Sequence, residues 1–299
     1  MDIIPAKTIL SNYQSPNWDY VAAEYYMHIY RGCNHGCIYC YARSNYYEKS
    51  DDFGNVRAKQ DALKIIRDEL CRKVRKGVVM VGGISDPYNP EEREHKLTRN
   101  ALELLNAFEF GAAIMTKSAL VTRDTDILRD IKQHSPVSVN FSITCAYDEL
   151  CAKVEPFVSN TTQRFQAIEH LAKNGIISGV LMDPIIPYIT DTVDNVREMV
   201  RKAKHYGAGY MYISQLVTLA DVQRDYFYNE AEKISPGITE KYKTKYKNYY
   251  RCRSPISKKL WDAFADECEK QGVCYDMRAA NRFIRQGYKI SVLDFGSDF

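Results

Sequence analysis

Residues 30–43 read YRGCNHGCIYCYAR, and this stretch of the chain brings three cysteines close together. Cys33, Cys37 and Cys40 follow the spacing C-x3-C-x2-C. Thiolates are soft ligands that suit iron–sulfur clusters and zinc, so the stretch predicts a metal centre. Three thiolates can ligate three irons of a [4Fe–4S] cluster and leave the fourth iron free for a small molecule. The alternative is a zinc knuckle in which His35 supplies the fourth ligand.

The aromatic residue in front of the third cysteine extends this pattern. With Tyr39 the motif becomes C-x3-C-x-aromatic-C, which resembles the signature of radical S-adenosylmethionine (SAM) enzymes. The longer string around the cysteines is similar to the branch of spore photoproduct lyase and the DNA-repair-photolyase-like radical SAM proteins. The resemblance implies a [4Fe–4S] cluster, SAM as the second cofactor, and a place for the Tyr39 ring near the adenine of SAM.

The composition of the whole chain limits the class of protein. The chain has 299 residues, a formal net charge of +3 and nine cysteines. It begins without a basic and apolar leader, and it has no run of about 20 apolar residues that could span a bilayer. We therefore expect a cytoplasmic protein without a membrane partner. In that compartment cysteines indicate metal chemistry and buried thiols rather than disulfides.

Short apolar strands alternate with amphipathic helices between residues 25 and 220. The strands are predicted near residues 25–30, 78–81, 112–115, 137–144, 176–182 and 210–214. A helix follows each of the first five strands, the first of them at about residues 57–75, and this alternation is typical of a parallel α/β sheet. With right-handed crossovers, six units predict a partial (β/α)6 TIM-like barrel, the fold that the resemblance also implies. A flat doubly wound sheet is the alternative.

The alternation stops near residue 220. We predict that residues 1–225 form the barrel with its lead-in, and that residues 226–299 form a helical extension that closes the open side. Within the extension, residues 241–253 read KYKTKYKNYYRCR. Basic residues interleaved with tyrosines can bind phosphates and stack on bases. The same pattern also fits a solvated helix face with tyrosines packed beneath it.

In either type of sheet, function collects at the carboxyl ends of the strands. The strand at residues 78–81 is followed by Gly82 and Gly83, and then by Ser85 and Asp86. Two glycines allow a ligand to approach the backbone closely, although a simple turn with polar caps also accounts for the string. The resemblance implies that the Gly-Gly turn meets the methionyl amino group of SAM, with the Ser-Asp pair beside it.

Two further strands end in polar residues. Lys117 comes just after the strand at 112–115, and the resemblance implies that its charge pairs with the methionyl carboxylate of SAM. A lysine whose ammonium reaches solvent is the alternative. Ser142 lies on the face that alternation makes polar in residues 137–144, which suits the SAM ribose. Ser142 also matches a serine of the family.

The resemblance implies the chemistry as well. One electron passes from the reduced cluster to SAM, a carbon–sulfur bond breaks, and the 5′-deoxyadenosyl radical takes a hydrogen atom from the substrate. A reductant such as flavodoxin or ferredoxin would supply the electron. Spore photoproduct lyase uses a cysteine two residues before its Ser-Asp pair as hydrogen donor, and Gly83 occupies that position here. Cys145 is a possible substitute, and it is equally a candidate for a small buried apolar residue.

Three functions fit this sequence. In the first, a radical SAM enzyme acts on DNA or a nucleotide in a photoproduct-lyase-like reaction, with residues 241–253 as its nucleic-acid contact. In the second, the same chemistry modifies a small molecule, a peptide or a protein. In the third, the chain is a non-catalytic zinc or iron–sulfur binding module, which release of 5′-deoxyadenosine from SAM would rule out.

Overall fold

The computed structural model describes residues 1–13, 21, 23–47 and 53–288. The strands in these ranges are β1 (Asp2–Ile4), β2 (Leu10–Asn12), β3 (Tyr25–Met27), β4 (Tyr30–Arg31), β5 (Arg57–Lys59), β6 (Val78–Val81), β7 (Gly111–Thr116), β8 (Val137–Ser142), β9 (Ile177–Met182), β10 (Tyr210–Ile213), β11 (Leu216–Thr218) and β12 (Arg251–Arg253). The α-helices are α1 (Ala62–Arg72), α2 (Glu92–His95), α3 (Leu97–Ala107), α4 (Thr125–Lys132), α5 (Asp148–Val154), α6 (Thr161–Lys173), α7 (Val193–His205), α8 (Asp221–Ile234), α9 (Ile238–Tyr246), α10 (Ser257–Gln271) and α11 (Met277–Arg285). Tyr41–Arg43 and Ala119–Asp124 form short 3-10 helices. None of the helices described is both long enough and apolar enough to cross a bilayer.

The central sheet has seven strands in the order β10-β9-β8-β7-β6-β3-β2. Six of them run parallel to one another, and β2 pairs antiparallel with β3 at one edge. Neighbours in the sheet are consecutive β/α units, whereas a doubly wound sheet reverses its strand order at a switch point. The prediction of an α/β fold with six parallel strands is therefore confirmed. The sheet is an open, partial barrel, because the edge strands β2 and β10 do not pair within the described ranges.

Strand β8 shows how the sheet separates two environments. Val139 and Phe141 lie in the large hydrophobic cluster that the helices cover. Successive side chains of a strand point to opposite faces, so Ser138 and Asn140 face the interior of the barrel. The Asn140 Oδ1 atom accepts a hydrogen bond of 2.6 Å from the Tyr210 hydroxyl on β10. The interior is thus polar along β8, as the alternation of residues 137–144 predicted.

The ring of Tyr210 fills the amino-terminal half of the interior. It lies across Gly179 on the neighbouring strand, where a Cβ atom would come within 2.0 Å of the ring. Met80, Ala113 and Leu181 belong to the same hydrophobic cluster. The described part of the interior is therefore filled where these side chains pack, and the polar residues predicted as ligands lie beyond it at the carboxyl ends of the strands.

The part of the chain before β6 differs from the prediction. The helix expected at residues 57–75 begins only at Ala62, because Arg57–Lys59 forms β5 and pairs with β1 and β4. The single strand expected at residues 25–30 is divided into β3 and β4, which join different sheets. These partners come from distant parts of the chain, so local periodicity did not reveal them.

The C-terminal part of the chain contacts the barrel at several places. Arg285 on α11 forms an ion pair of 2.8 Å with Glu24, which immediately precedes β3. The Met211 amide on β10 donates a hydrogen bond of 2.8 Å to the Cys274 carbonyl. Helix α8 runs across the boundary expected at residue 225, so the two-domain division and the closing role of the extension stay predictions. Residues 289–299 of the extension lie outside the described ranges.

We predict that Gly179→Ala destabilises the barrel. The added methyl group overlaps the Tyr210 ring, and overpacking of this kind costs about 1–3 kcal/mol of unfolding free energy. Urea denaturation of the metal-free protein measures the change. Gly54→Ala is the control, since nothing lies within 4 Å of a Cβ atom at that position. Equal unfolding free energies for both variants would contradict this role of Gly179.

Candidate cluster and cofactor site

The loop between β4 and the 3-10 helix Tyr41–Arg43 carries the three predicted cluster ligands. Cys33 and Cys37 are buried, Cys40 is partly buried, and all three are free thiols. Burial raises the pKa of Cys37, and the charges of the other two thiols raise it further, which places the three groups close together. Gly32 has a φ of +77°, and a Cβ atom there would lie 2.3 Å from the Asn55 carbonyl oxygen. Only glycine fits this tight turn.

Main-chain hydrogen bonds fix the loop from outside. The Ile38 amide donates to the Val154 carbonyl at 3.1 Å, and the Phe157 amide donates to the His35 carbonyl at 3.2 Å. The segment that follows α5 therefore runs along the loop between its first and third cysteines. This contact positions the backbone that carries the thiols without using the thiols themselves.

The His35 side chain faces the barrel. Its Nδ1 atom lies 3.5 Å from the Asp86 Oδ2 atom. Burial by itself would lower the pKa of His35, but the neighbouring Cys33 and Asp86 raise it to about 9. Within the described ranges, no group of three or more His, Cys, Asp or Glu side chains is arranged to hold one metal ion, which disfavours the zinc knuckle.

Gly82 and Gly83 form the turn after β6. Both have a φ of +106°, and a Cβ atom on Gly82 would lie 2.5 Å from the Met115 carbonyl oxygen on β7. The Tyr41 hydroxyl, from the end of the cysteine loop, donates a hydrogen bond of 2.6 Å to the Gly83 carbonyl. Ser85 follows in the same turn, and its Oγ atom is buried without a hydrogen-bond partner among the residues described. A buried hydroxyl in that state is available to a ligand.

Asp86 holds the strand ends together. Its carboxylate accepts hydrogen bonds from the Tyr88 amide at 2.9 Å, the Thr116 hydroxyl at 2.7 Å and the Lys117 amide at 2.7 Å. Its second oxygen also faces His35. The carboxylate therefore connects the β6 turn, the end of β7 and the cysteine loop, which the sequence alone did not indicate.

The Lys117 ammonium group lies inside the site. Its Nζ atom is 5.7 Å from the centre of the Tyr39 ring. Burial would lower the pKa of Lys117, but the nearby Cys37, Glu155 and Asp86 raise it, so the group stays charged. In the part of the chain that the structure describes, no carboxylate forms an ion pair with this ammonium. Such a charge can receive an anionic group of a ligand.

Ser142 and Cys145 lie at the end of β8. The Ser142 hydroxyl donates a hydrogen bond of 3.1 Å to the Asp183 carbonyl at the end of β9. Cys145 is 1% exposed and packs in one hydrophobic cluster with Cys37 and Tyr39. Burial raises the pKa of Cys145 to about 12, with smaller contributions from neighbouring charges, so it is a neutral thiol.

Sequence reasoning missed two charged residues at the centre of the site. Glu155 and Arg164 are both fully buried and form an ion pair of 2.6 Å. The Tyr39 hydroxyl donates a hydrogen bond to the same Glu155 carboxylate. Burial would raise the pKa of Glu155, but Arg164, Lys117 and Tyr39 hold it below its usual value. The only indication of this ion pair in the sequence was an arginine on the face of α6 that becomes buried.

The contacts of Asp86 with Lys117 and His35, and that of Tyr41 with the Gly83 carbonyl, bring the ends of β6 and β7 to the cysteine loop. The ammonium of Lys117 lies near the Cys37 thiol, and the buried Ser85 hydroxyl has no hydrogen-bond partner among the described residues. These groups fit a ligand with a carboxylate and an amino group bound beside a cluster. The roles of the individual residues remain predictions.

Residues 27–203 match the Radical SAM superfamily. This match covers more than half of the chain, and the chain belongs to that superfamily. An uncharacterised protein of Methanocaldococcus jannaschii is 33% identical over 169 residues, which are 56% of this chain and 63% of the relative. The matched region therefore spans less than two thirds of that relative.

Solved structures of spore photoproduct lyase are similar in fold. A cysteine variant of the lyase has a TM-score of 0.67 and 17% identity, over 90% of this chain and 79% of that chain. A second variant, with bound SAM and dinucleoside spore photoproduct, has a TM-score of 0.61 and 17% identity, over 83% and 74% of the two chains. The predicted resemblance to this branch is confirmed at the level of the fold. The superfamily uses a [4Fe–4S] cluster and SAM, so both predicted cofactors are confirmed.

We predict that Arg164→Met strongly destabilises the metal-free protein. Removal of one partner leaves the Glu155 charge buried and uncompensated, which costs about 3–5 kcal/mol of unfolding free energy. The double variant Arg164→Met/Glu155→Gln should recover part of this loss, because the charge of Glu155 is then removed together with that of Arg164. Chemical denaturation measures all three proteins.

The control for this prediction is Lys258→Met, which removes an ion pair of 2.8 Å with Asp262 on the surface. Exposed pairs of this kind contribute little, so stability should not change measurably. If Arg164→Met were as stable as Lys258→Met, the buried ion pair would not support the site.

Proposed function

We propose that this protein reductively cleaves SAM at a [4Fe–4S] cluster held by Cys33, Cys37 and Cys40. We further propose that it acts on DNA or a nucleotide in a photoproduct-lyase-like reaction. The observation that carries the proposal is that three thiols lie close together beside a charged lysine, which forms no ion pair among the described residues, at the carboxyl ends of the strands. When bound, cluster and SAM supply the reductive cleavage of a carbon–sulfur bond and the resulting 5′-deoxyadenosyl radical.

In this proposal the residues at the strand ends bind SAM. Lys117 pairs with the methionyl carboxylate, and the Gly82-Gly83 turn with the Ser85 hydroxyl receives the amino group. Ser142 lies at the ribose and Tyr39 near the adenine. Several of these groups are buried, and electrostatic attraction is stronger in buried surroundings than in water.

Asp86 receives a different role from the one expected. Its oxygens already accept three hydrogen bonds from protein groups, which leaves little capacity for the methionyl ammonium. We propose that Asp86 positions the Lys117 backbone and the His35 ring. Its contribution to SAM binding is then indirect.

A nucleic-acid substrate is supported by the C-terminal segment. Lys241, Lys243, Lys245 and Lys247 are all exposed, and their charges can attract phosphates. A spore photoproduct lyase of similar fold has been solved with a dinucleoside spore photoproduct bound. The proposal also includes a cytoplasmic location and an electron-donating protein such as flavodoxin or ferredoxin.

The hydrogen donor must differ from that of spore photoproduct lyase. Gly83 stands at the donor position, and its φ of +106° is a conformation that a cysteine rarely adopts. We propose Cys145 as the donor, because it is a neutral thiol in the same hydrophobic cluster as Cys37 and Tyr39.

The first test is release of 5′-deoxyadenosine from SAM by the anaerobically reconstituted and reduced protein. We expect release by the wild type and none by Cys37→Ala, which lacks one cluster ligand. Lys117→Met should keep the cluster but weaken SAM binding about tenfold or more, because a charged hydrogen bond is lost. Cys268→Ala, which removes a buried thiol outside the site, should behave as the wild type. Absence of release from a fully loaded wild type with nucleic-acid substrates present would contradict the proposal.

The second test concerns Cys145. We expect Cys145→Ser to release 5′-deoxyadenosine from SAM but to form no hydrogen-quenched product, because a hydroxyl is a much poorer hydrogen-atom donor than a thiol. Product analysis by mass spectrometry measures the difference. Cys252→Ser, which also replaces a buried thiol, is the control. Normal product from Cys145→Ser would exclude this donor.

A further inference from the structure

We infer that the tyrosines at the mouth of the site, Tyr46, Tyr47 and Tyr250, form a stacking surface for an unpaired nucleobase of a nucleic-acid strand. This inference rests on the proposed nucleic-acid substrate and specifies the form in which that substrate is bound. Three features support it: the arrangement of the tyrosines that follow the cysteine loop, the hydrogen bonds that hold the turn before β12, and the exposed positive charges around both.

Tyr41, Tyr47 and Tyr46 form a row of contacting rings, the tyrosine ladder, which runs from the site to solvent. The Tyr41 and Tyr47 ring centres are 5.3 Å apart, and those of Tyr47 and Tyr46 are 4.8 Å apart, both edge to face. Tyr41 is held at the site by its hydrogen bond to the Gly83 carbonyl. Tyr46 at the other end is 84% exposed. The ladder therefore connects the end of β6 to solvent through aromatic rings.

Tyr250 joins this ladder from the C-terminal part of the chain. Burial raises the pKa of Tyr47, and the nearby Tyr250 phenol raises it further. Tyr250 is 53% exposed. More than half of its surface is thus open to a ligand beside two rings that are already in place.

The turn that presents Tyr250 is held firmly. The Arg224 guanidinium on α8 donates hydrogen bonds of 3.0–3.2 Å to the carbonyls of Lys247, Asn248 and Tyr249. The next carbonyl, that of Tyr250, accepts from the Leu219 amide at 2.9 Å. An arginine that binds three successive carbonyls fixes the turn with its tyrosines directed outward. Little side-chain or loop freedom is then lost when a ligand binds.

The other half of the surface is fixed from the same helix. The Asn45 amide donates to both carboxylate oxygens of Asp221 at 3.2 Å. The Arg43 guanidinium lies 4.1 Å from the centre of the Tyr226 ring and 5.0 Å from that of Phe53. Helix α8 therefore holds Tyr46 and Tyr47 on one side, and Tyr250 on the other, at a fixed separation.

The segment 241–253 divides its residues between two roles. Tyr242 and Tyr246 are buried and pack against each other with ring centres 5.1 Å apart, so they belong to the core. The lysines around them and both arginines of β12 are exposed. Exposed cations can contact phosphates on either side of a stacked base, and stacking on tyrosine accepts any base. A fully paired duplex offers no free base face, so the surface favours unpaired nucleotides.

Fluorescence anisotropy of the full-length protein with a labelled oligothymidylate tests the inference. We expect Tyr250→Ala and Tyr46→Ala to weaken binding about 5- to 150-fold, the range for loss of one stacked base. Tyr250→Phe should bind nearly as the wild type, because the ring face remains. Phe283→Ala, which removes an exposed ring on α11, should have no effect.

An oligonucleotide of the same length with abasic sites separates the contribution of base stacking from that of the phosphate charges. It keeps the phosphates but lacks the bases, so the wild type and the tyrosine variants should bind it equally weakly. A duplex should also bind less tightly than the single strand, because its bases are paired. Equal affinity of wild type and Tyr250→Ala for oligothymidylate would overturn the inference but leave the proposed function standing. No binding of any nucleic acid would overturn both the inference and the proposed substrate, whereas the SAM cleavage is tested independently by 5′-deoxyadenosine release.

Discussion

The Glu155 carboxylate is the group on which the site depends most. It is buried, and a buried charge is tolerated only when partners compensate it. Tyr39 from the cysteine loop and Arg164 from α6 contact it directly, and the Lys117 ammonium at the end of β7 stabilises its charge from a greater distance. Satisfying this one charge therefore fixes the mutual positions of the cysteine loop, the sheet and a surrounding helix.

The charges of the site are balanced so that one cation remains available. Arg164 is committed to Glu155 and to the Ser142 carbonyl, which it reaches at 2.5 Å. Asp86 is occupied by main-chain and hydroxyl donors. Lys117 faces the thiols and the Tyr39 ring with no ion pair among the described residues. An anionic ligand beside the cysteine loop would complete this arrangement.

The barrel contributes by closing one end of its interior. Tyr210 lies across Gly179 and fills the amino-terminal half, and polar groups line the carboxyl-terminal half. The C-terminal helix α8 then reaches the cysteine loop itself, since Gln223 donates a hydrogen bond of 3.3 Å to the Tyr39 carbonyl. Cofactor site and mouth are thus built by one continuous set of contacts.

Much of this protein could be predicted from the sequence alone. The cysteine spacing determined the superfamily and its cofactors, because the chemistry of a cluster requires particular ligands at a short separation. The six parallel strands followed from apolar runs that are buried on both faces. The polar residues at their ends were found because parallel strands end at one edge of a sheet.

Contacts between distant residues were decided only by the tertiary structure. Glu155 and Arg164 look like ordinary surface residues in the sequence until folding buries them together. Nothing in the local sequence indicated that the Asp86 carboxylate accepts hydrogen bonds from Thr116 and Lys117. Within the segment 241–253, only packing separates the core Tyr242 from the exposed Tyr250. The local sequence pattern reveals the type of a secondary-structure element and the chemistry of a motif. Burial and pairing depend on residues that are distant in the sequence, so the local pattern does not reveal them.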